Sequence, residues 1–201
     1  MPLIHGIEGP IPPGRDAEEY DRLRRRVLWS LPTGLFVVGT RGGVRRNLMT
    51  ANWVMQIATT PKLVAVSVEQ DSVTLSLIEE ARAFSVSVLS RSDRALVRKF
   101  VKPVSEVELG PDGAASAMSG VPVVETAEGL PRLEAALSWL SCSVRSIDRW
   151  DDHASEGAAS HVLVVGCVTD AGSVEGREGA DDGEDGPGVL RMEDTRMNYG
   201  G

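Results

Sequence analysis

The chain has 201 residues, 42% apolar and 25% charged, the size and composition of one soluble globular domain with a real core. Its net charge of −8 is unevenly placed: between Asp170 and Pro187 seven acids face Arg177 alone, and the remainder is close to neutral. Overall acidity therefore says little about partners and argues against nucleic acid.

The N-terminal run MPLIHGIEGPIPPGRDAEEY lacks a basic region followed by an apolar stretch, so no secretory signal is expected. Residues 1–15 read as a tail. Asp16 followed by Glu19 suggests a helix start of capping-box type. Tyr20, Leu23, Val27 and Leu31 then recur at helical spacing, with Arg22, Arg24, Arg25 and Arg26 between them, and Pro32 should end the helix. GLFVVGT is a strand, RGG a turn, and the strand holding NLMTANWV (Asn47–Val54) completes a hairpin. KLVAVSVE is a third strand, apolar on both faces and hence central. Leu75, Ile78 and Ala81 form a short helical face, AFSVSVLS is a strand, and SDRALVRKF is a second short helix capped by Ser92 or Asp93.

Residues Val101–Gly120 are polar and poorly patterned and are expected as a surface excursion. Strands return at GVPVVE, ALSWLSCSVRSIDRW, SHVLVVGCVTDA and GPGVLRM. Between the last two, the glycine-rich acidic stretch 172–188 reads as a solvated loop. About seven strands in hairpin-sized steps with a few short helices predict a mainly β fold, an antiparallel barrel with helical decoration. Apolar runs such as LVAV and HVLVVGCV are too short to cross a bilayer. Cys142 and Cys167 lie in apolar runs without metal-ligand spacing, so two reduced thiols in a cytoplasmic protein, with no metal, are expected.

There is no GxGxxG after a strand, no Walker loop, no HExxH and no CxxC. Of three histidines, His5 lies in the tail, His153 in a polar stretch, and His161 opens a strand. Two places draw attention. In NLMTANWV, strand alternation sends Met49, Ala51 and Trp53 to one face and Leu48, Thr50, Asn52 and Val54 to the other. Thr50 and Asn52 are then polar groups in a greasy strand, satisfied either by neighbouring backbone or by a ligand. In VEQDSVTLSLI, a strand ends and a helix begins near Ser72–Thr74. The unpaired amides of a helix start suit a phosphate, but from this segment alone Ser72 or Thr74 simply capping the helix is the favoured reading.

Taken in order, PTGLFVVGT, RRNLMTANW, TTPKLVAVSVEQDSVTLSLIEEARAFSVSVLSRSDRALVRKF, GVPVVE, WLSCSV, SHVLVVGCVTDA and VLRMEDTRMNYGG resemble the flavin reductase-like family of FMN-binding split barrels. That family includes the reductase partners of two-component monooxygenases and flavoredoxin-type proteins. The resemblance implies a Greek-key split barrel over residues 16–199. It also implies an isoalloxazine ring along Thr50, Ala51, Asn52 and Trp53, and a ribityl phosphate served by Ser67, Val68, Glu69, Ser72 and Thr74. Lys99 and Phe100 match a short helix closing over the flavin, with Lys99 a phosphate partner, and Arg46 with Arg45 would supply further charge. His161 matches a histidine near the nicotinamide side, catalytic in orienting that ring or shuttling a proton. The family's preceding Gly-Asp pair is missing here. Ser87 stands where many relatives carry Asn.

The implied activity is hydride transfer from NADH or NADPH to FMN, with FAD as the alternative flavin. The implied assembly is a homodimer, with a monooxygenase as acceptor partner and no membrane association. Two rivals follow from the same resemblance: a flavoredoxin-like carrier that holds FMN without nicotinamide turnover, and a split barrel turned to heme or a deazaflavin.

Overall fold

The computed structural model describes residues 9–150, 160–173 and 188–195. The chain divides into two compact units, Met1–Pro32 with Arg196–Gly201, and Thr33–Thr195. The first unit carries α1 (Ala17–Trp29), which starts as expected: the Asp16 carboxylate accepts the Glu19 amide at 2.9 Å. Glu18 and Glu19 in the first turn and Arg26 in the last complement the helix dipole. The one buried side chain is Asp21, held by Arg24 at 2.6 Å and Arg25 at 3.0 Å. Leu23, Val27, Leu28, Trp29 and Leu31 stay exposed.

The second unit is built from β1 (Phe36–Gly42), β2 (Arg45–Ala51), β3 (Val54–Thr59), β4 (Lys62–Glu69), α2 (Val73–Ala81) and β5 (Ala83–Val88), followed by β6 (Val107–Leu109), β7 (Ala115–Met118), β8 (Val121–Glu125), β9 (Pro131–Leu133), β10 (Ser138–Asp148) and β11 (His161–Ser173). Seven strands pair antiparallel in the order β2-β1-β5-β10-β11-β4-β3, and β6 to β9 form a second sheet. The edge strands of the large sheet, β2 and β3, are consecutive in the chain, with Asn52 and Trp53 between them. Three Cα steps reach at most ~11 Å. The sheet must therefore curl until its edges nearly meet, while no β2–β3 ladder closes it: a split barrel. Its interior holds Val38, Ala51, Val64, Val66, Val68, Phe84, Val86, Cys142, Val162 and Val164, joined by Leu75 and Ile78 of α2.

The structure differs from the sequence reading in four places. Asn47–Val54 is not one strand: β1 supplies partners only up to Phe36↔Ala51, and the chain finds a new partner at Val54↔Val66. Met49 and Ala51 face the core as expected, but Trp53 leaves that face and Val54 returns to it. SDRALVRKF is two 3₁₀ turns, Arg91–Asp93 and Leu96–Phe100, and the cap is Ser90, which accepts the Ser92 amide. Three residues per turn align Val97 with Phe100, and both are buried. Residues 101–120 are not a bare excursion, because β6 and β7 form a hairpin there with Ala115 and Met118 buried. The described part of GPGVLRM, from Gly188 on, forms no strand: Val189 and Arg191 make isolated bridges to Ser90 and Gly34, followed by a 3₁₀ turn at Met192–Asp194. The acidic stretch lies, from 174 to 187, outside the described residues, as do His5 and His153. No helix among the described residues is long and apolar enough to cross a membrane.

Candidate functional site

Where the barrel splits, the two residues linking its edges meet the ends of β4 and β11. The Trp53 carbonyl accepts the Ser67 amide at 3.0 Å, tying the corner to β4. β4 and β11 pair in the register His161↔Glu69, Val162↔Val68 and Leu163↔Ser67. Val68 and Val162 point into the core, so alternation puts Ser67, Glu69 and His161 on the outer face. Trp53 reaches that face too: its ring meets the His161 ring edge-on, centroids 4.9 Å apart. Thus Asn52, Trp53, Ser67, Glu69 and His161, predicted from separate stretches, come together.

Their polar groups are differently committed. Asn52 is 9% exposed, and its carboxamide makes no hydrogen bond among the described residues. The half-buried Ser67 hydroxyl makes none either. Such groups suit a ligand rich in hydrogen-bonding heteroatoms. His161 Nδ1 lies 2.9 Å from Ser160 Oγ. Burial lowers the His161 pKa below the usual histidine value, with the Glu69 carboxylate opposing, so the ring is neutral near pH 7.

Other predicted residues are occupied by the fold. Thr50 Oγ1 donates to the Val97 carbonyl at 2.6 Å, fastening the Leu96–Phe100 turn to β2 and accounting for this polar group without a ligand. Ser72 caps α2, its hydroxyl accepting the Leu75 amide at 3.1 Å. Thr74 is buried and its hydroxyl accepts Asn47 Nδ2 at 2.9 Å. Ala51, Val68 and Phe100 are core side chains, which leaves only their backbones for a ligand. Lys99 is exposed on the same turn. Arg46 stands apart, about six residues or ~20 Å along β2 from Asn52. Its guanidinium binds Glu125 of β8 and the Gly113 carbonyl, so its charge is neutralised there. Ser87 is fully buried and accepts the Leu133 amide, seating β9.

Two residues escaped the sequence reading. Asn47 bridges three segments, donating to Thr74 and accepting the Val104 amide at 2.9 Å. Its signal was available: it is a third amide or hydroxyl in the same strand. Ser160 carried no signal before its contact with the imidazole was visible. No cluster of three or more His, Cys, Asp or Glu side chains that could hold a metal ion occurs among the described residues.

A sequence model of the "Flavin reductase like domain" matches residues 28–194. The chain is 29% identical over 150 residues to the high molecular weight rubredoxin of Moorella thermoacetica, covering 73% of this chain and 58% of that protein. It thus spans less than two thirds of that relative's length. It is 29% identical over 143 residues to the NADH-dependent FAD reductase of Streptomyces globisporus, covering 71% and 75% respectively. Component B of a nitrilotriacetate monooxygenase from Mycobacterium thermoresistibile superposes with a TM-score of 0.63 over 81% of each chain at 22% identity, a likeness of fold.

Proposed function

The chain belongs to the flavin reductase like domain family, and from that premise we propose that it is an NAD(P)H-dependent flavin reductase, passing a hydride from NADH or NADPH to FMN or FAD. The observation that carries this reading is the near-buried, unpartnered Asn52 carboxamide beside the Trp53–His161 pair. Bound flavin would supply the hydride acceptor. The protein's share is to hold two rings in contact and keep water away. Asn52 and Ser67 would hydrogen-bond flavin heteroatoms, and the backbone from Ala51 to Trp53 would line the ring. The flavin's phosphate would lie toward the start of α2, where Ser72 and Thr74 stand and where the helix dipole favours an anion. His161, neutral beside Trp53, would meet the nicotinamide. No strong acid or base is needed, consistent with the lack of any nucleophile–base pair in the sequence.

A homodimer is part of the proposal. Among the described residues β3 is a sheet edge, with Met55 and Ile57 exposed on it and Trp53 exposed just before it, a surface a second copy would cover. The proposed acceptor of reduced flavin is a monooxygenase, in line with the name of the Mycobacterium thermoresistibile neighbour. Similarity to a protein named as a rubredoxin keeps the carrier reading in the test.

The experiment is an absorption spectrum of the isolated protein followed by a nicotinamide oxidation assay with added FMN and FAD. Reductase activity predicts micromolar flavin binding and NADH or NADPH oxidation. Flavin retained through dialysis with negligible turnover would establish the carrier instead. Absence of both binding and turnover overturns the proposal.

A further inference from the structure

His161 is held from two sides: by the edge-on ring of Trp53 and by Ser160, whose hydroxyl lies 2.9 Å from Nδ1. Ser160 is itself anchored, its carbonyl accepting the Gln70 amide at 3.0 Å from the turn after β4. A neutral imidazole carries one donor nitrogen and one acceptor, and the bond made by one nitrogen sets the state of the other. The Ser160 hydroxyl has no other acceptor among the described residues, so its hydrogen is best used on the Nδ1 lone pair. Glu69 lies directly across in the β4–β11 register, so a carboxylate neighbours the ring without a hydrogen bond to either nitrogen.

We propose that Ser160 is a positioning residue that holds His161 in the tautomer with its hydrogen on Nε2, presented as a donor beside Trp53. A donor there suits a carbonyl oxygen such as that of a carboxamide, so the inference rests on the nicotinamide reading of the site and adds to it the residue that sets the donor. Among the described residues, the ionisable groups on the neighbouring elements at this end of β11 are Glu69 on β4, across from His161, Asp71 in the turn beyond it, and Asp148 on β10, paired with Leu163. Arg149, next to Asp148, is bonded to Glu79 of α2. The β3 side contributes no charge.

The test is nitrogen-15 NMR of the histidine side chains in the full chain without substrate, the His161 signals being assigned by their loss in His161→Asn. The wild type should show a bare Nδ1 and a protonated Nε2. Ser160→Ala should relax this to a mixture, and Ser160→Thr should retain it. Ser160→Asp, whose carboxylate only accepts, should move the hydrogen to Nδ1 and raise the His161 pKa by at least one unit. In kinetics, Ser160→Ala should lower kcat/KM for the nicotinamide several-fold with flavin affinity unchanged, and Ser160→Thr should restore it. A hydrogen on Nδ1 in the wild type, or a tautomer indifferent to Ser160→Ala and Ser160→Asp, overturns the inference. Because the spectra need no turnover, that result is distinct from failure of the reductase reading.

Discussion

Replacing Asn52 by leucine and Thr50 by valine, in separate proteins, tells a side chain kept polar for a ligand from one kept polar for the fold. Thr50 Oγ1 donates to the Val97 carbonyl at 2.6 Å in a buried setting. Thr50→Val strands that carbonyl, which costs about 1–2 kcal/mol. At ~2–4 °C per kcal/mol for a chain of this size, Tm falls by about 2–8 °C. Asn52 has no such bond to lose and is 9% exposed. Leucine has similar volume, so Asn52→Leu should leave the flavin-free protein between unchanged and ~1 kcal/mol more stable. Flavin binding should respond in the opposite order. Losing one or two hydrogen bonds to the ring costs about 1–3 kcal/mol, or roughly 5- to 150-fold in Kd. Thr50→Val should leave Kd within about twofold, since its hydroxyl serves Val97. Urea denaturation without flavin and titration of flavin fluorescence measure the two quantities. If Asn52→Leu destabilises the protein while flavin affinity stays at the wild-type value, the carboxamide is structural and the pocket lies elsewhere.

Four further outcomes follow from the same geometry. Gly39→Ala would set a Cβ 1.9 Å from the Pro131 carbonyl oxygen and 2.6 Å from Ser85 Oγ, so β9 must move; the expected loss is about 1–3 kcal/mol or more in urea melts, and a neutral result would unseat β9 from β1. Glu125→Ala removes the acceptor shared by Arg46 and the Ala115 amide, with side-chain exposures of 9% for Arg46 and 11% for Glu125. Leaving that guanidinium without its carboxylate, held only by the Gly113 and Val44 carbonyls, should cost about 3 kcal/mol, and Glu125→Gln less. Burial, with Cys167 adding to it, pushes the Cys142 thiol up to about 12, leaving a thiolate fraction of about 10⁻⁴ at pH 8. A disulfide reagent should therefore reach Cys142 only on unfolding, and fast labelling of both thiols in the native protein would contradict its core position. The folded state binds a proton at His161 less readily than the unfolded chain. Its contribution is complete above the ordinary histidine value of ~6.5 and is lost as pH falls below it; wild type and His161→Asn should diverge in that window, and parallel curves would show the imidazole to be solvated.

Much of the fold was legible because it is written in local chemistry. Asp16 and Glu19 start α1, Ser72 starts α2, the apolar strand KLVAVSVE takes two-sided burial as expected, and SHVLVVGCV forms the expected strand. Alternation in NLMTANWV correctly turned Met49 and Ala51 inward and marked Thr50 and Asn52 as polar groups in need of partners. Which partner each one finds was not legible. The partners are non-local: Thr50 is met by a carbonyl 47 residues away, and Arg46 by a carboxylate 79 residues away. Periodicity describes a strand's two faces but not what lies against them. It also could not show that the strand breaks at Asn52, because that break depends on where β1 stops supplying partners and β4 begins. The amino-acid sequence by itself determined the long core strands, the starts of α1 and α2, and the family. Only the tertiary structure decided which polar side chains were left over, since a spare hydrogen-bonding group is defined by every neighbour that fails to reach it.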